Sequence, residues 1–337
     1  MKALVLDSPG QLIMKDVPIP ELGRNDLLIQ TKAATICTSD LHDIQYNQFE
    51  IKLPMTMGHE GAGIVAAIGA DVNLFEIGDE ICAHPVMPCG QCSSCRRGLS
   101  HLCDNMSHLG IDKGGVFAEY FAIRQDRVRL KPTSLDFASA TLMEPVCVCI
   151  EALHRAQVGP GKNVLILGDG PFGILMSRLC RQYPDTKVLL LGRHDYRLAF
   201  AGTSVIQINE KKVGRVKEHI LEATEGAGID SAILCVGTNQ AADLAIEVLR
   251  SRGTLAVFSA IPGKPAIDLF KVHVKELTIS GSCNDMGYLD QALAFLQDSL
   301  LGLPDVITNR LPFDEYKHAF DLAANGKDRA LKVSMIF

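Results

Sequence analysis

The sequence predicts an α/β chain of two domains, a β-rich one followed by a doubly wound parallel sheet. Three observations carry this expectation. The chain has 337 residues, room for two domains of about 150 residues each. Up to about residue 150, short apolar runs (3–6, 27–30 and 63–68) are separated by Gly, Pro and Asp. From Val158 onward, apolar strands alternate with helical stretches, the pattern of a parallel sheet covered on both faces. The expected division is residues 1–150, completed by about 290–337, for the first domain and 151–289 for the second.

The elements of the second half follow in order. Residues 164–167 (Val-Leu-Ile-Leu) read as a buried strand. A Gly-rich turn and a helix reaching Tyr183 come next, and Pro184 stops the helix because it cannot donate to the preceding turn. Strands are predicted at 187–191, 232–236, 254–259 and 277–280, with helices at 241–250 and 288–299. After Leu303 the alternation is lost, and the tail is expected to pack back on the first domain.

Composition narrows the function classes. Apolar residues make up 47% and charged residues 21%, which excludes a disordered chain, a collagen and a coiled coil. Lys and Arg number 33 against 39 Asp and Glu, so the basic surface that drives nucleic-acid binding is not expected. The first apolar run ends at Asp7, too short for a signal-peptide core. No uninterrupted apolar run approaches the roughly 18 residues of a membrane span. A cytoplasmic protein without membrane partners is expected. Eleven cysteines, an odd number with Cys-x-x-Cys spacing, point to metal ligands in a reducing compartment before a disulfide scaffold.

Gly168-Asp169-Gly170-Pro171-Phe172-Gly173 fits GxGxxG. It follows a buried strand and opens a helix, the context that a dinucleotide turn requires. The second Gly lets the backbone approach a pyrophosphate at the helix N-terminus, and the third lets helix and strand pack closely. An NAD-binding chain usually places Asp or Glu about 20 residues further on, to bind the ribose 2′-hydroxyl. Here the second strand ends in Gly192, followed by Arg193 and Arg197. Gly192 leaves room where the acid would sit, and two guanidinium groups suit a 2′-phosphate. NADP is therefore favoured over NAD. The alternative has both arginines solvated and Asp195 on the ribose.

Cys89, Cys92, Cys95 and Cys103 have the spacing of a closed, all-sulfur zinc site, which is structural rather than catalytic. An iron–sulfur cluster is the rival occupant. A second set is mixed and scattered: Cys37 ahead of Ser39, Asp40 and His42, then His59-Glu60, then Glu144-Pro145. A thiolate, an imidazole and one or two carboxylates can hold zinc with an open position for substrate. Spacing alone does not gather them.

With these motifs together, the sequence resembles the zinc-dependent medium-chain dehydrogenases, in their sorbitol and threonine dehydrogenase branch, over nearly its whole length. Gly58-His59-Glu60-x-x-Gly63 with Gly69, Val72 and Gly78-Asp79 resembles the family's zinc signature. The Cys89 to Cys103 series with Gly98, and the stretch 114–120, are also similar to it. The resemblance implies a GroES-like catalytic domain and a Rossmann cofactor domain. It implies Cys37, His59, Glu60 and Glu144 as the catalytic zinc shell, and a proton relay through Ser39 and His42. It implies two zincs per chain, a small secondary alcohol or its ketone as substrate, NADP(H) with NAD(H) as the alternative, and a homodimer or homotetramer. Polyols, cyclitols and sugar-like alcohols are the expected substrates, with an NAD-linked L-threonine 3-dehydrogenase as the neighbouring alternative. A zinc-free reductase and a non-catalytic zinc or NADP(H) sensor are more distant readings. After Pro145 the chain departs from the family with Val146-Cys147-Val148-Cys149, and both cysteines are expected to pack. Tyr46, Phe49, Phe117 and Glu119 are expected to line the substrate pocket.

Overall fold

The computed structural model describes residues 1–259, 261 and 266–337. The chain forms two compact units. One comprises residues 1–147, 286–299 and 307–337, the other 148–285 and 300–306. The tail is thus divided, with residues 300–306 assigned to the second unit.

The first unit is built on a seven-stranded sheet. Its central strand Asp26–Thr35 pairs antiparallel with Glu60–Ile68, with Tyr120–Arg124 and with Lys332–Ile336. Alternate residues of this strand point inward, where Leu27 and Ile29 join Leu4, Leu6, Phe121, Ile123, Val333 and Met335 in one apolar core. This period-two burial explains why 27–30 was legible as a strand. Lys332–Ile336 and its parallel partner Ile307–Pro312 bring the last residues of the chain into the sheet.

The second unit carries a six-stranded, wholly parallel sheet. Its spatial order is Ile206–Asn209, Lys187–Gly192, Asn163–Leu167, Ile229–Leu234, Leu249–Val257, Thr278–Gly281. The two chain directions from Asn163–Leu167 outward make this the doubly wound arrangement, in which nucleotides bind at the carboxyl ends of the strands. Leu165, Leu167, Leu189, Leu191, Ile229, Leu234 and Leu255 fill its core. The edge strand Ile206–Asn209 has exposed Gln207 and half-buried Ile206, too weak an apolar run to be read from sequence.

The helical run Phe137–Arg155 has the length and mean hydropathy of a membrane span, but 89% of its apolar window is buried within the protein. It is a core helix. The sequence reading passed over it because polar residues interrupt the run.

Candidate catalytic metal centre and nucleotide turn

The register of the first sheet assembles the centre. Thr35 stands opposite Glu60 on one side and opposite Ser334 on the other. Just beyond those pairs, at the same end of the sheet, come Cys37, His59 and Lys332. Ligand atoms of Cys37, His59 and Glu60 all lie within 4.8 Å of one another. Cys37 is buried directly ahead of the helix Thr38–Tyr46, and its N–H donates to Asp40 Oδ2 at 2.8 Å. The other Asp40 oxygen is 3.0 Å from His59 Nδ1. That contact leaves Nε2 for the cluster and supplies the carboxylate that would orient a metal-binding imidazole. Burial opposes charge on His59, but Asp40 and then Cys37 outweigh it and draw the ring well above the usual imidazole range.

Glu60 is fully buried. Its carboxylate accepts from the Thr35 hydroxyl, and Lys332 Nζ lies 2.8 Å from Oε1 and 2.7 Å from Oε2. Thr35 in turn meets the Thr141 hydroxyl at 3.0 Å. Lys332 is itself buried. Burial works against its ammonium, but Glu60, with Cys37 and Glu144, overrides that and raises its pKa. Glu144, buried in the first turn of the helix Met143–Arg155, therefore belongs to the electrostatic neighbourhood of the centre. It does not share the 4.8 Å cluster of the other three. A soft thiolate, an imidazole with a carboxylate behind it and a nearby acid make a donor set that fits zinc. Ser39 is half-buried and His42 exposed. Three residues apart, they share one face of their helix.

Two features here escaped sequence reading. Asp40 had a signal, an acid at the third helical position that accepts from the residue before the helix. Lys332 had none, because its partner Glu60 lies 272 residues away. His108 is a third addition. Its ring stands 5.7 Å from that of His59, and burial, reinforced by His59, pushes its pKa down to about 3. It is a neutral wall against His59. Of the residues expected to line the pocket, Tyr46 and Phe49 are exposed. Phe117 belongs to the core instead, packed edge-on to Phe320 and against Gly58, where a Cβ would overlap its ring. Glu119 accepts from the backbone N–H of Lys2 at 2.7 Å.

The sulfur lobe is compact. Ligand atoms of Cys89, Cys92, Cys95 and Cys103 lie within 4.8 Å of one another, and the sulfurs of Cys92 and Cys103 are 3.7 Å apart. Sulfurs about 2.3 Å from a tetrahedral zinc stand roughly 3.8 Å apart. Backbone N–H groups of Cys95 and Asp104 point at Cys92 Sγ, and those of Cys89 and Asn105 at Cys103 Sγ. Such donors favour thiolate. N–H groups of Gln91 and Cys92 lower Cys89 to about 6, whereas burial and the neighbouring sulfurs of Cys92 and Cys103 raise Cys95 to about 12. Thiolates this close repel one another, a conflict that a bound dication would relieve.

In the second unit, Gly170 precedes the helix Pro171–Leu179, with Pro171 at its first position. A Cβ on Gly170 would meet nothing within 4 Å, whereas one on Gly173 would overlap the Gly168 carbonyl. The open glycine leaves room for a pyrophosphate to approach, and the crowded one packs helix on strand. Phe172 stacks at a tilt 5.1 Å from Phe258. Gly192 does not leave an empty space, contrary to the sequence reading. A Cβ there would overlap the carboxylate of Asp169. Arg193 is exposed and paired with Glu210, Arg197 is half-buried against Tyr196, and Asp195 is engaged by Lys212 and Asn209. Cys147 and Cys149 are fully buried on a continuous helix. Two residues of helix rotate them by about 200°, so they do not share a face.

Residues 23–133 match the model of the alcohol dehydrogenase GroES-like domain, and residues 188–298 that of the zinc-binding dehydrogenases. The chain is 33% identical to L-threonine 3-dehydrogenase of Pyrococcus horikoshii, over 97% of this chain and 96% of that one. It is 29% identical to sorbitol dehydrogenase of Bacillus subtilis, over 99% and 96%. Among solved structures, a zinc-binding dehydrogenase of Sinorhizobium meliloti bound to NADP superposes with a TM-score of 0.92 at 28% identity, over 100% of this chain and 99% of that one. Galactitol-1-phosphate dehydrogenase of Escherichia coli gives a TM-score of 0.88 at 25% identity, over the full length of both chains.

Proposed function

The chain belongs to the zinc-dependent alcohol dehydrogenase family, and on that premise we propose that it interconverts a small secondary alcohol and its ketone, with NADP(H) as the partner. A polyol, cyclitol or sugar-like alcohol is the substrate class. The observation that carries the proposal is the convergence of Cys37, His59 and Glu60 at one end of the sheet, with Asp40 behind His59.

When bound, zinc supplies Lewis acidity toward the substrate oxygen and NADP accepts the hydride. Cys37 and His59 hold the metal, with Glu60 and Glu144 completing or alternating in its shell. Asp40 fixes the ring of His59. Ser39 hydrogen-bonds the substrate hydroxyl and takes its proton, and the exposed His42, one turn along the same helix, passes the proton to solvent. Cys89, Cys92, Cys95 and Cys103 hold a second, structural zinc. Gly168, Gly170, Pro171, Phe172 and Gly173 receive the pyrophosphate. Arg193 and Arg197 favour the 2′-phosphate of NADP, and the engagement of Asp195 by Lys212 supports that preference. We place the enzyme in the cytoplasm as a homodimer or homotetramer.

The second reading is an NAD-linked L-threonine 3-dehydrogenase, favoured by the 33% identity to relatives of that name. A panel of polyols, cyclitols and amino alcohols, assayed with NADP and NAD in parallel, separates the two. Turnover of polyols or cyclitols with NADP is expected. Turnover confined to L-threonine with NAD establishes the second reading, and no turnover of any alcohol by protein holding two zincs per chain overturns both.

A further inference from the structure

The second strand of the parallel sheet ends at Gly192 with no acid beside it in sequence, yet a carboxylate occupies the place. It comes from Asp169, between the first two glycines of the nucleotide turn, and it is buried. Asp169 Oδ2 accepts from the backbone N–H groups of Arg193 and His194, both at 2.8 Å, and lies 3.1 Å from Nδ1 of His194. Three donors on one oxygen commit it to the protein and offset its charge. They also set the direction of the strand exit. With Nδ1 held by Asp169, the other ring nitrogen of His194 faces away from the carboxylate, and the His194 side chain is 39% exposed.

Cationic and aromatic side chains stand beside it. The rings of His194 and Tyr196 are 6.0 Å apart, and the Arg197 guanidinium sits 5.6 Å over the Tyr196 ring with its Nε 2.9 Å from the Tyr196 hydroxyl. Arg193 is exposed beside Glu210. The acids nearby are all engaged: Asp169 by the turn, Glu210 by Arg193, and Asp195 by Lys212 at 2.5 Å and Asn209 at 2.6 Å. Gly192 is explained by the same arrangement, because any side chain there would displace the Asp169 carboxylate.

We propose that His194 is a third ligand, with Arg193 and Arg197, for the 2′-phosphate of NADP, and that Asp169 is the positioning residue that holds the 193–194 turn for this purpose. The proposal rests on the NADP reading given above. A phosphate monoester accepts several charge-assisted hydrogen bonds at once, and His194, with its Nδ1–H given to Asp169, donates from Nε2 in the imidazolium form, in which both ring nitrogens carry hydrogen.

Binding of 2′,5′-ADP and of 5′-AMP to the whole zinc-loaded protein, measured by calorimetry, tests it. The two probes differ only in the 2′-phosphate. The wild type is expected to prefer 2′,5′-ADP. His194→Gln is expected to cut that preference by about tenfold, the worth of one charge-assisted hydrogen bond, with 5′-AMP affinity unchanged. Asp169→Asn is expected to cut the preference as well, a ratio that general loss of structure would leave unmoved. A wild-type preference that survives intact in both variants overturns the proposal and leaves the NADP reading standing. A wild type that binds both probes equally overturns the NADP reading, and the proposal with it. If Asp169→Asn weakens both probes alike, the positioning role is overturned, and His194→Gln, a change at a partly exposed side chain, decides the phosphate contact by itself.

Discussion

Glu60 shows how much one residue's environment adds to its identity. In the sequence it is an acid beside a candidate ligand. In the fold it is fully buried between Thr35 and Lys332. Breaking a buried ion pair from one side leaves an uncompensated charge and costs about 3–5 kcal/mol. Lys332→Met is therefore expected to lower the urea midpoint by that equivalent, at an unchanged dependence on denaturant. Adding Glu60→Gln to it removes the stranded charge and is expected to recover most of the loss. Equal midpoints for the single and double variants would show that the pair is not the source of the effect. Cys37 and Asp40 had a local signal because they stand three residues apart around one helix start. Lys332 had no such signal. Its relation to Glu60 exists only through strand register.

At the level of the element, the strand–turn–helix unit around Gly168 to Gly173 was legible because its constraints are local. A continuous apolar strand, three glycines at fixed offsets and Pro171 at the first helical position follow one another within a few residues. The second and third glycines nevertheless do different work. Gly170→Ala places its Cβ in open space and is expected to leave the fold intact while weakening cofactor binding at least tenfold, as the methyl group meets the pyrophosphate. Gly173→Ala drives its Cβ into the Gly168 carbonyl and is expected to lower the melting temperature and cofactor affinity together. Thermal melts with and without NADP distinguish the cases. A stable Gly173→Ala protein with full affinity would refute the packing role. The edge strand Ile206–Asn209 and the split of the tail were not legible, since neither has an apolar pattern of its own strong enough to announce it.

For the whole molecule, the consequence is that the metal and nucleotide groups belong to different compact units with separate apolar cores. Mutations more than about 7–10 Å apart with no shared partners add within about 0.5 kcal/mol. Cys37→Ser is expected to abolish turnover and remove one zinc per chain, while the dissociation constant for NADP shifts by no more than about twofold. Fluorescence titration together with metal analysis checks this, and loss of cofactor binding in a folded variant would refute the independence. By itself the sequence determined the two-part α/β plan, the sulfur lobe, the dinucleotide turn and the identity of the scattered ligand candidates. The plan, the lobe and the turn depend on runs of a few residues, where spacing fixes geometry, and the ligand candidates on the motifs that carry the family resemblance. Only the tertiary structure decided that Cys37, His59 and Glu60 converge while Glu144 stands beside them, that Lys332 answers Glu60, and that Asp169 fills the space beside Gly192. Each of these depends on strands and turns far apart in sequence being set side by side, and the pairing of backbone hydrogen bonds that does so leaves no mark on any single stretch of residues.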